Sequence, residues 1–209
     1  NEKTTPKTKR METLATDTQL LYFTSGTTEY PKMVCHDHTY PIAHIVTAKY
    51  WHNVDPDGLH LTVSETGWAK SVWGKLYGQW FLGAGIFVYD FDRFIPADLL
   101  AKIQEYRITT FCAPPTIYRF LIKEGLENYD LSSLKYVTTA GEALNPEVFR
   151  QFEQKTGLRI HEAFGQTETT VLMGNFVGAK DEKVGSLGKA SPLYDVDIVD
   201  ENDQPLPPG

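Results

Sequence analysis

Short apolar runs alternate with stretches whose apolar residues recur at helical spacing along most of the chain. Residues 19–23 read as a buried strand, followed by a Gly/Ser/Thr loop. Thr39 caps a helix that runs to about Trp51, with Pro41 tolerated in its first turn. Residues 59–64 form the next strand, 68–82 a glycine-containing helix, and 85–89 another strand. Ile95-Pro96 opens a helix to about Tyr106, with Leu99, Leu100 and Ile103 on one face. A strand at 109–113 leads into a helix at 115–124, which Gly125 stops. A strand at 136–139 comes next. Asn145 then caps a helix that has Pro146 at its first position and Gly157 at its end, and residues 159–164 return as a strand.

Repeated strand–helix–strand units predict an α/β fold, a mostly parallel sheet with helices on both faces. The rhythm changes after about Asp181, where Gly185, Gly188 and Pro192 interrupt it and residues 195–199 alternate like an antiparallel strand. The expected organisation is a polar leader at 1–18, an α/β core at 19–183, and the start of a β-rich subdomain at 184–209. The chain opens on Asn1 and stops in a turn at Pro207-Pro208-Gly209, so it reads as the middle of a longer protein whose flanking parts are missing.

Charge narrows the function. A net charge of −7 argues against a general nucleic-acid binder, which needs a surplus of Lys and Arg. No apolar run is long enough to span a bilayer. Cys35 and Cys112 are far apart and form no Cys-x-x-Cys pair, and the expectation is reduced thiols in a cytoplasmic protein. The six histidines lack metal-ligand spacing.

Four segments follow predicted strands, where open α/β folds place their ligands. Thr24-Ser25-Gly26-Thr27-Thr28-Glu29-Tyr30-Pro31-Lys32 offers hydroxyls and backbone N–H groups for phosphate oxygens and a point charge at Lys32, or else is a surface turn. It lacks the closing Gly-Lys-Ser/Thr of a Walker A loop. Thr138-Thr139-Ala140-Gly141-Glu142-Ala143-Leu144 lets a planar base or an acyl chain lie against the backbone, or is a tight strand-to-helix connection. Within His161-Glu162-Ala163-Phe164-Gly165-Gln166-Thr167-Glu168-Thr169, the Thr167 hydroxyl and Glu168 carboxylate are hard oxygen ligands suited to phosphate and Mg²⁺; the alternative is a capped loop with Glu168 in solvent. Thr66-Gly67-Trp68 and Ala113-Pro114-Pro115-Thr116 can wall an apolar pocket, or Trp68 is ordinary core.

Together and in this order, three of these segments resemble motifs of the adenylate-forming enzymes: acyl- and aryl-CoA synthetases, luciferases and peptide-synthetase adenylation domains. Residues 24–32 resemble the Thr-Ser-Gly-Thr-Thr-Gly-x-Pro-Lys loop, 141–144 the Gly-Glu-x-Leu element, and 164–168 the Tyr-Gly-Gln-Thr-Glu element. Pro31-Lys32-Met33, Glu65-Thr66-Gly67-Trp68 and the stretch from Ala113 to Arg119 look closest to the medium-chain acyl-CoA synthetase branch. The resemblance implies a ligase that makes an acyl-adenylate from ATP and a carboxylic acid and passes the acyl group to CoA, with Mg²⁺. Thr24, Ser25, Gly26, Thr27, Thr28 and Lys32 would hold the β/γ-phosphates. Gly141, Glu142, Ala143, Glu162, Ala163 and Phe164 would border the adenine, with Gln166 beside them. Thr167 would contact the α-phosphate and the substrate carboxylate, and Glu168 would bind the metal. Trp68 and Gly165 would shape the acyl pocket. Gly165 stands where acetate-specific members carry Trp, which implies an acid larger than acetate. Glu29 departs from the family's Gly, at a cost of about 1 kcal/mol or more wherever that backbone needs φ > 0. An adenylating enzyme with another acyl acceptor and a non-catalytic nucleotide-binding module are the competing readings. This piece alone is expected not to turn over.

Overall fold

Two units, dividing after Tyr40, make up the residues that the computed structural model describes, 12–25, 30–179 and 182–207. The first unit is built on an antiparallel hairpin of β1 (Thr18–Thr24) and β2 (Lys32–Asp37), with Phe23 opposite Met33 and Leu21 opposite Cys35. Sequence pattern gave no sign of β2. Its ends are charged and only Val34, His36 and Asp37 are half-buried, so the pairing itself rather than any apolar run makes it a strand. The Asp37 carboxylate accepts from both the backbone N–H and the hydroxyl of Thr39. Asp37 therefore ties the entry to helix α1 (Tyr40–Val46), a role expected of Thr39.

The second unit is organised by side-chain alternation in a seven-stranded sheet. Its strands are β3 (Leu59–Thr62), β4 (Gly85–Ile86), β5 (Thr110–Cys112), β6 (Tyr136–Ala140), β7 (Ile160–Gln166), β8 (Thr170–Gly174) and β9 (Lys189–Ala190). They lie in the order β4-β3-β5-β6-β7-β8-β9, parallel from β4 to β7 and antiparallel beyond. Leu61, Phe111, Val137 and Ile160 are register neighbours on one face. They share the main apolar core with Leu99, Leu100 and Ile103 of α4 (Pro96–Glu105), Tyr118 and Leu121 of α5 (Pro115–Glu124), and Phe149 and Phe152 of α6 (Pro146–Thr156). Local signals set these helices: Pro at each first turn, Asn145 accepting from the Glu147 N–H, and left-handed Gly125 and Gly157 at the ends of α5 and α6.

Alternation places polar groups on the opposite face. Thr62, Cys112, Thr138 and His161 form one register row, and His60, Thr110 and Tyr136 the next. Helix α2 (Ala69–Lys75), helix α3 (Tyr77–Phe81) and a π-helical turn at Thr47–Trp51 lie in the chain around β3. Buried His52 bonds Thr138 through Nδ1, and its ring lies 4.3 Å from that of Trp51 and 4.8 Å from that of His60. The Gly74 carbonyl, where α2 gives way to α3, accepts from His60 Nε2, Thr62 Oγ1 and Gln79 Nε2. The helix expected over 68–82 is therefore broken at Leu76, and the groups that hold the break come from β3 and α3.

Two further expectations are corrected. The strand expected at 85–89 is a two-residue β4. The strand expected at 195–199 is reduced to a single bridge between Val199 and Pro205. Short β9 pairs with β8, and compactness divides the chain after Tyr40.

Candidate functional site

The chain enters the sheet at β3, moves to β4 on one side, then crosses to β5, β6 and β7 on the other. The strand order reverses between β3 and β5, and such a reversal opens a crevice at the carboxyl ends of the strands. A cleft of about 800 Å³ lies there, lined by residues 61–68 after β3, 88–91 after β4, and Pro114 and Ile117 after β5. Trp68, Val88, Tyr89, Phe91 and Phe94 make its walls largely aromatic and apolar. Trp68 is 63% exposed at this rim, so it is a cleft residue rather than core.

Two lysines of α2 also line the cleft. Lys70 is 8% exposed and its Nζ donates to the Ala140 carbonyl at 3.1 Å. Lys75 Nζ donates to the Ser64 carbonyl at 2.7 Å, and burial pulls its pKa below the usual lysine value. Neither lysine was singled out from sequence. Periodicity would assign a charged helix residue to solvent, and the only signal was their place directly after the Thr66-Gly67-Trp68 segment.

The Gly141 loop starts where β6 ends, next to the cleft. Gly141 has φ +102°, and Gly141, Glu142 and Ala143 are all exposed. Glu142 accepts from the Thr116 hydroxyl at 2.8 Å, and Thr116 in turn accepts from Arg119. From β7, the buried Glu162 carboxylate accepts the Leu144 N–H at 2.9 Å. Burial raises the pKa of Glu162, and the Leu144 bond opposes that rise. Ala163 is buried opposite Ala140, and Phe164 is partly exposed.

Strand β7 runs on into a tight hairpin with β8. The Gln166 N–H donates to Thr169 Oγ1, the Thr169 N–H to the Gln166 carbonyl, and the Tyr194 hydroxyl to the Thr169 carbonyl. Thr170 sits at φ +61°, which is strained for a β-branched residue. Thr167 and Glu168 lie on the turn, and the Glu168 side chain forms no ion pair among the described residues.

The expectation that Gly165 opens the acyl pocket meets a different geometry. A Cβ at Gly165 would stand 1.8 Å from the Thr170 carbonyl oxygen, and Gly165 is not among the cleft-lining residues. The close approach of β8 leaves no room for a side chain at this position.

The 24–32 segment belongs to the other unit. Thr24 ends β1, Ser25 follows it, and Lys32 opens β2 and is exposed. Gly26, Thr27, Thr28 and Glu29 lie outside the described residues.

An α/β fold with a cleft at the reversal point of its sheet, joined by hydrogen bonds from α2 to the end of β6 and from β7 to the Gly141 loop, has the layout in which open α/β proteins place their ligands. The AMP-binding enzyme family model matches residues 1–209, and the chain belongs to that family. It is 43% identical to human mitochondrial acyl-coenzyme A synthetase ACSM3 over 97% of its own length and 34% of that relative. With human mitochondrial ACSM4 it shares 40% identity over 95% of its length and 34% of that relative. The chain thus spans about a third of the relatives it matches. Among solved structures, an acyl-CoA synthetase from Brucella canis superposes with TM-score 0.84 at 28% identity, over 93% of this chain and 36% of that one. ATP-bound MatB from Rhodopseudomonas palustris has the same fold, with TM-score 0.84 at 22% identity over 95% of this chain and 39% of that one.

The cytoplasmic expectation is corrected by the relatives, which are mitochondrial by name. It had rested on unpaired cysteines. Exposed Cys35 and buried Cys112 are both free thiols, a state that does not tell one reducing compartment from another.

Proposed function

We propose that this chain carries the nucleotide and acyl sites of an ATP-dependent acid–thiol ligase, which activates a carboxylic acid as an acyl-adenylate and transfers it to CoA. The observation that carries this reading is the pair of ties that gathers cleft, Gly141 loop and β7 at one sheet edge: Lys70 to Ala140 and Glu162 to Leu144. Gly141, Glu142 and Ala143 form one border of the adenine, and Glu162, Ala163 and Phe164, with Gln166, the other. Thr167 donates to the α-phosphate and orients the substrate carboxylate beside it. Thr24, Ser25, Gly26, Thr27, Thr28 and Lys32 hold the β/γ-phosphates.

Glu168 suits Mg²⁺. A lone carboxylate on an exposed turn next to a threonine hydroxyl offers the hard oxygen donors that this ion takes together with phosphate oxygens. The ion, when bound, neutralises charge on the phosphates. The protein's own part is to align the carboxylate with the α-phosphate and to keep water out of the cleft, which is positioning and fixed-dipole stabilisation. Trp68 forms the apolar rim. The cleft volume of about 800 Å³ supports an acid well larger than acetate, since each buried methylene favours binding by about 0.8 kcal/mol.

A panel of carboxylic acids from acetate to long chains, with AMP formation followed with and without CoA, tests the proposal on the intact protein. Maximal AMP release with a medium-length or branched acid, accelerated by CoA, is expected. AMP release indifferent to every acid would refute it.

A further inference from the structure

Lys75 is a cleft-wall amine that the ligase reading leaves without a role. It ends α2, five residues after Lys70, so the helix sets the two α-carbons about 7.5 Å apart along its axis. Both line the same cleft, but their surroundings differ. Lys70 is tied to Ala140, at the start of the nucleotide-side loop. Among the described residues, Lys75 is tied to the Ser64 carbonyl, in the loop after β3. Glu65 and Asp90 also line the cleft, yet neither forms an ion pair with Lys75. A half-buried lysine on a largely apolar cleft, with no ion pair among the described residues, keeps more of its neutral amine than one in water. The desolvation that lowers its pKa acts in this direction.

We propose that Lys75 is an acyl-acceptor site: its amine is modified by activated acyl groups that reach the cleft. This rests on the ligase reading for the source of the acyl group. The neutral Lys75 amine attacks the acyl carbonyl carbon of an acyl-adenylate, and a C–N amide bond forms. The C–O bond to the phosphate breaks, AMP leaves with the electron pair, and the amine's proton passes to water. Acyl transfer to an amine needs no oxidant or further reactant. The same attack on an acyl thioester releases a thiol, so the shared chemistry is an activated acyl carbonyl. With CoA scarce, an adenylate held in the cleft has time to react. The product removes a charge and fills the cleft with an acyl chain, and so blocks it.

Peptide mapping by mass spectrometry tests this on the intact protein. One arm contains octanoate, ATP and Mg²⁺ without CoA; the other contains the octanoyl thioester of N-acetylcysteamine alone. The expected result is an octanoyl mass on Lys75 in both arms, about tenfold or more above exposed Lys49 and Lys123, and ATP-dependent in the first arm. Loss of the adduct in Lys75→Arg, with the Lys49 and Lys123 background unchanged, completes the support. AMP release with label spread evenly over surface lysines, or absent from Lys75, overturns the proposal. Absence of AMP release counts against the ligase reading instead. The thioester arm then decides for Lys75 alone: selective label sustains the site, and unselective label or none overturns it.

Discussion

Lys70 on α2 and the Ala140 carbonyl at the end of β6 meet at 3.1 Å, seventy residues apart in sequence. The ammonium is almost fully buried, and its partner is the last residue before the Gly141 loop. One bond therefore joins the cleft wall to the loop proposed to border the adenine. Replacing Lys70 by Met keeps the helix stem and removes the tie. A single hydrogen bond contributes on the order of 1 kcal/mol net, so the thermal midpoint should move by only a few degrees. Misplacement of the loop is costlier for chemistry, and AMP formation should fall about 10- to 100-fold. Equal losses of stability and activity would make Lys70 merely structural.

Glu162 presents the parallel case from β7. Its carboxylate holds the buried Leu144 N–H. Glu162→Ala orphans that donor and should cost about 1–3 kcal/mol of unfolding free energy, read by urea denaturation. Glu162→Gln keeps an acceptor and drops a buried carboxyl, so it should cost less than half as much. If both variants lose the same stability, the bond is not what matters at this site.

How much of this was legible in the sequence depends on the range of the interaction that fixed each feature. Helices α4, α5 and α6 carry their own start and stop residues, such as Pro96, the Pro115–Gly125 pair and Asn145-Pro146 with Gly157, and they appear where local chemistry put them. The central parallel strands were apolar enough to stand out. Strands β2 and β8 exist through antiparallel pairing, and nothing within Lys32–Asp37 announces a partner. The break at Leu76 depends on His60 and Thr62, fourteen and twelve residues from the Gly74 carbonyl that they hold. The Gly141 and Thr167 segments were visible as motifs. The cleft lysines were not, because burial of Lys70 is decided by Ala140, which no local pattern can point to. Gly165 reads as pocket space from its motif, and the Thr170 carbonyl oxygen, 1.8 Å from where its Cβ would stand, adds a constraint that no local pattern announces.

Acid sensitivity follows from the polar face of the sheet. His60 donates from Nε2 to Gly74 and accepts at Nδ1 from Thr110, so it is neutral in the fold, and burial pushes its pKa down to about 4. Burial likewise holds His52 well below the usual range, with the charges of His60, Lys70 and His44 adding to the effect. Above pH 6.5 both states of His60 are neutral and it contributes no pH dependence. Below that, the unfolded chain binds a proton that the fold refuses, so stability falls with pH until about 4. The loss from His60 alone is roughly 3 kcal/mol. Urea midpoints between pH 7 and 4 should drop accordingly, and less steeply in His60→Gln. A variant as acid-sensitive as the parent would point to another group.

Trp68 offers a test of the cleft itself. At 63% exposure it supports little of the core, and Trp68→Ala should change unfolding free energy by about 0.5 kcal/mol or less. It should also weaken selection for longer acids, since an apolar rim is lost. KM values across the acid panel are the measurement. An unchanged profile would remove Trp68 from the acyl site.

Gly165 and Gly141 should respond differently to the same substitution. Gly165→Ala drives a methyl to within 1.8 Å of the Thr170 carbonyl oxygen, which the short β7–β8 hairpin cannot yield without breaking register. Overpacking of this kind costs about 1–3 kcal/mol or more, and the turn that carries Thr167 and Glu168 moves with it. Gly141→Ala meets no atom within 4 Å and suffers only the strain of φ +102°, about 1–2 kcal/mol. Thermal unfolding should therefore rank Gly165→Ala as the more damaging change, and Gly165→Trp as worse still. If Gly165→Trp were as stable as the parent and merely shifted acid preference toward acetate, the hairpin would have to open there. The glycine would then be pocket space after all.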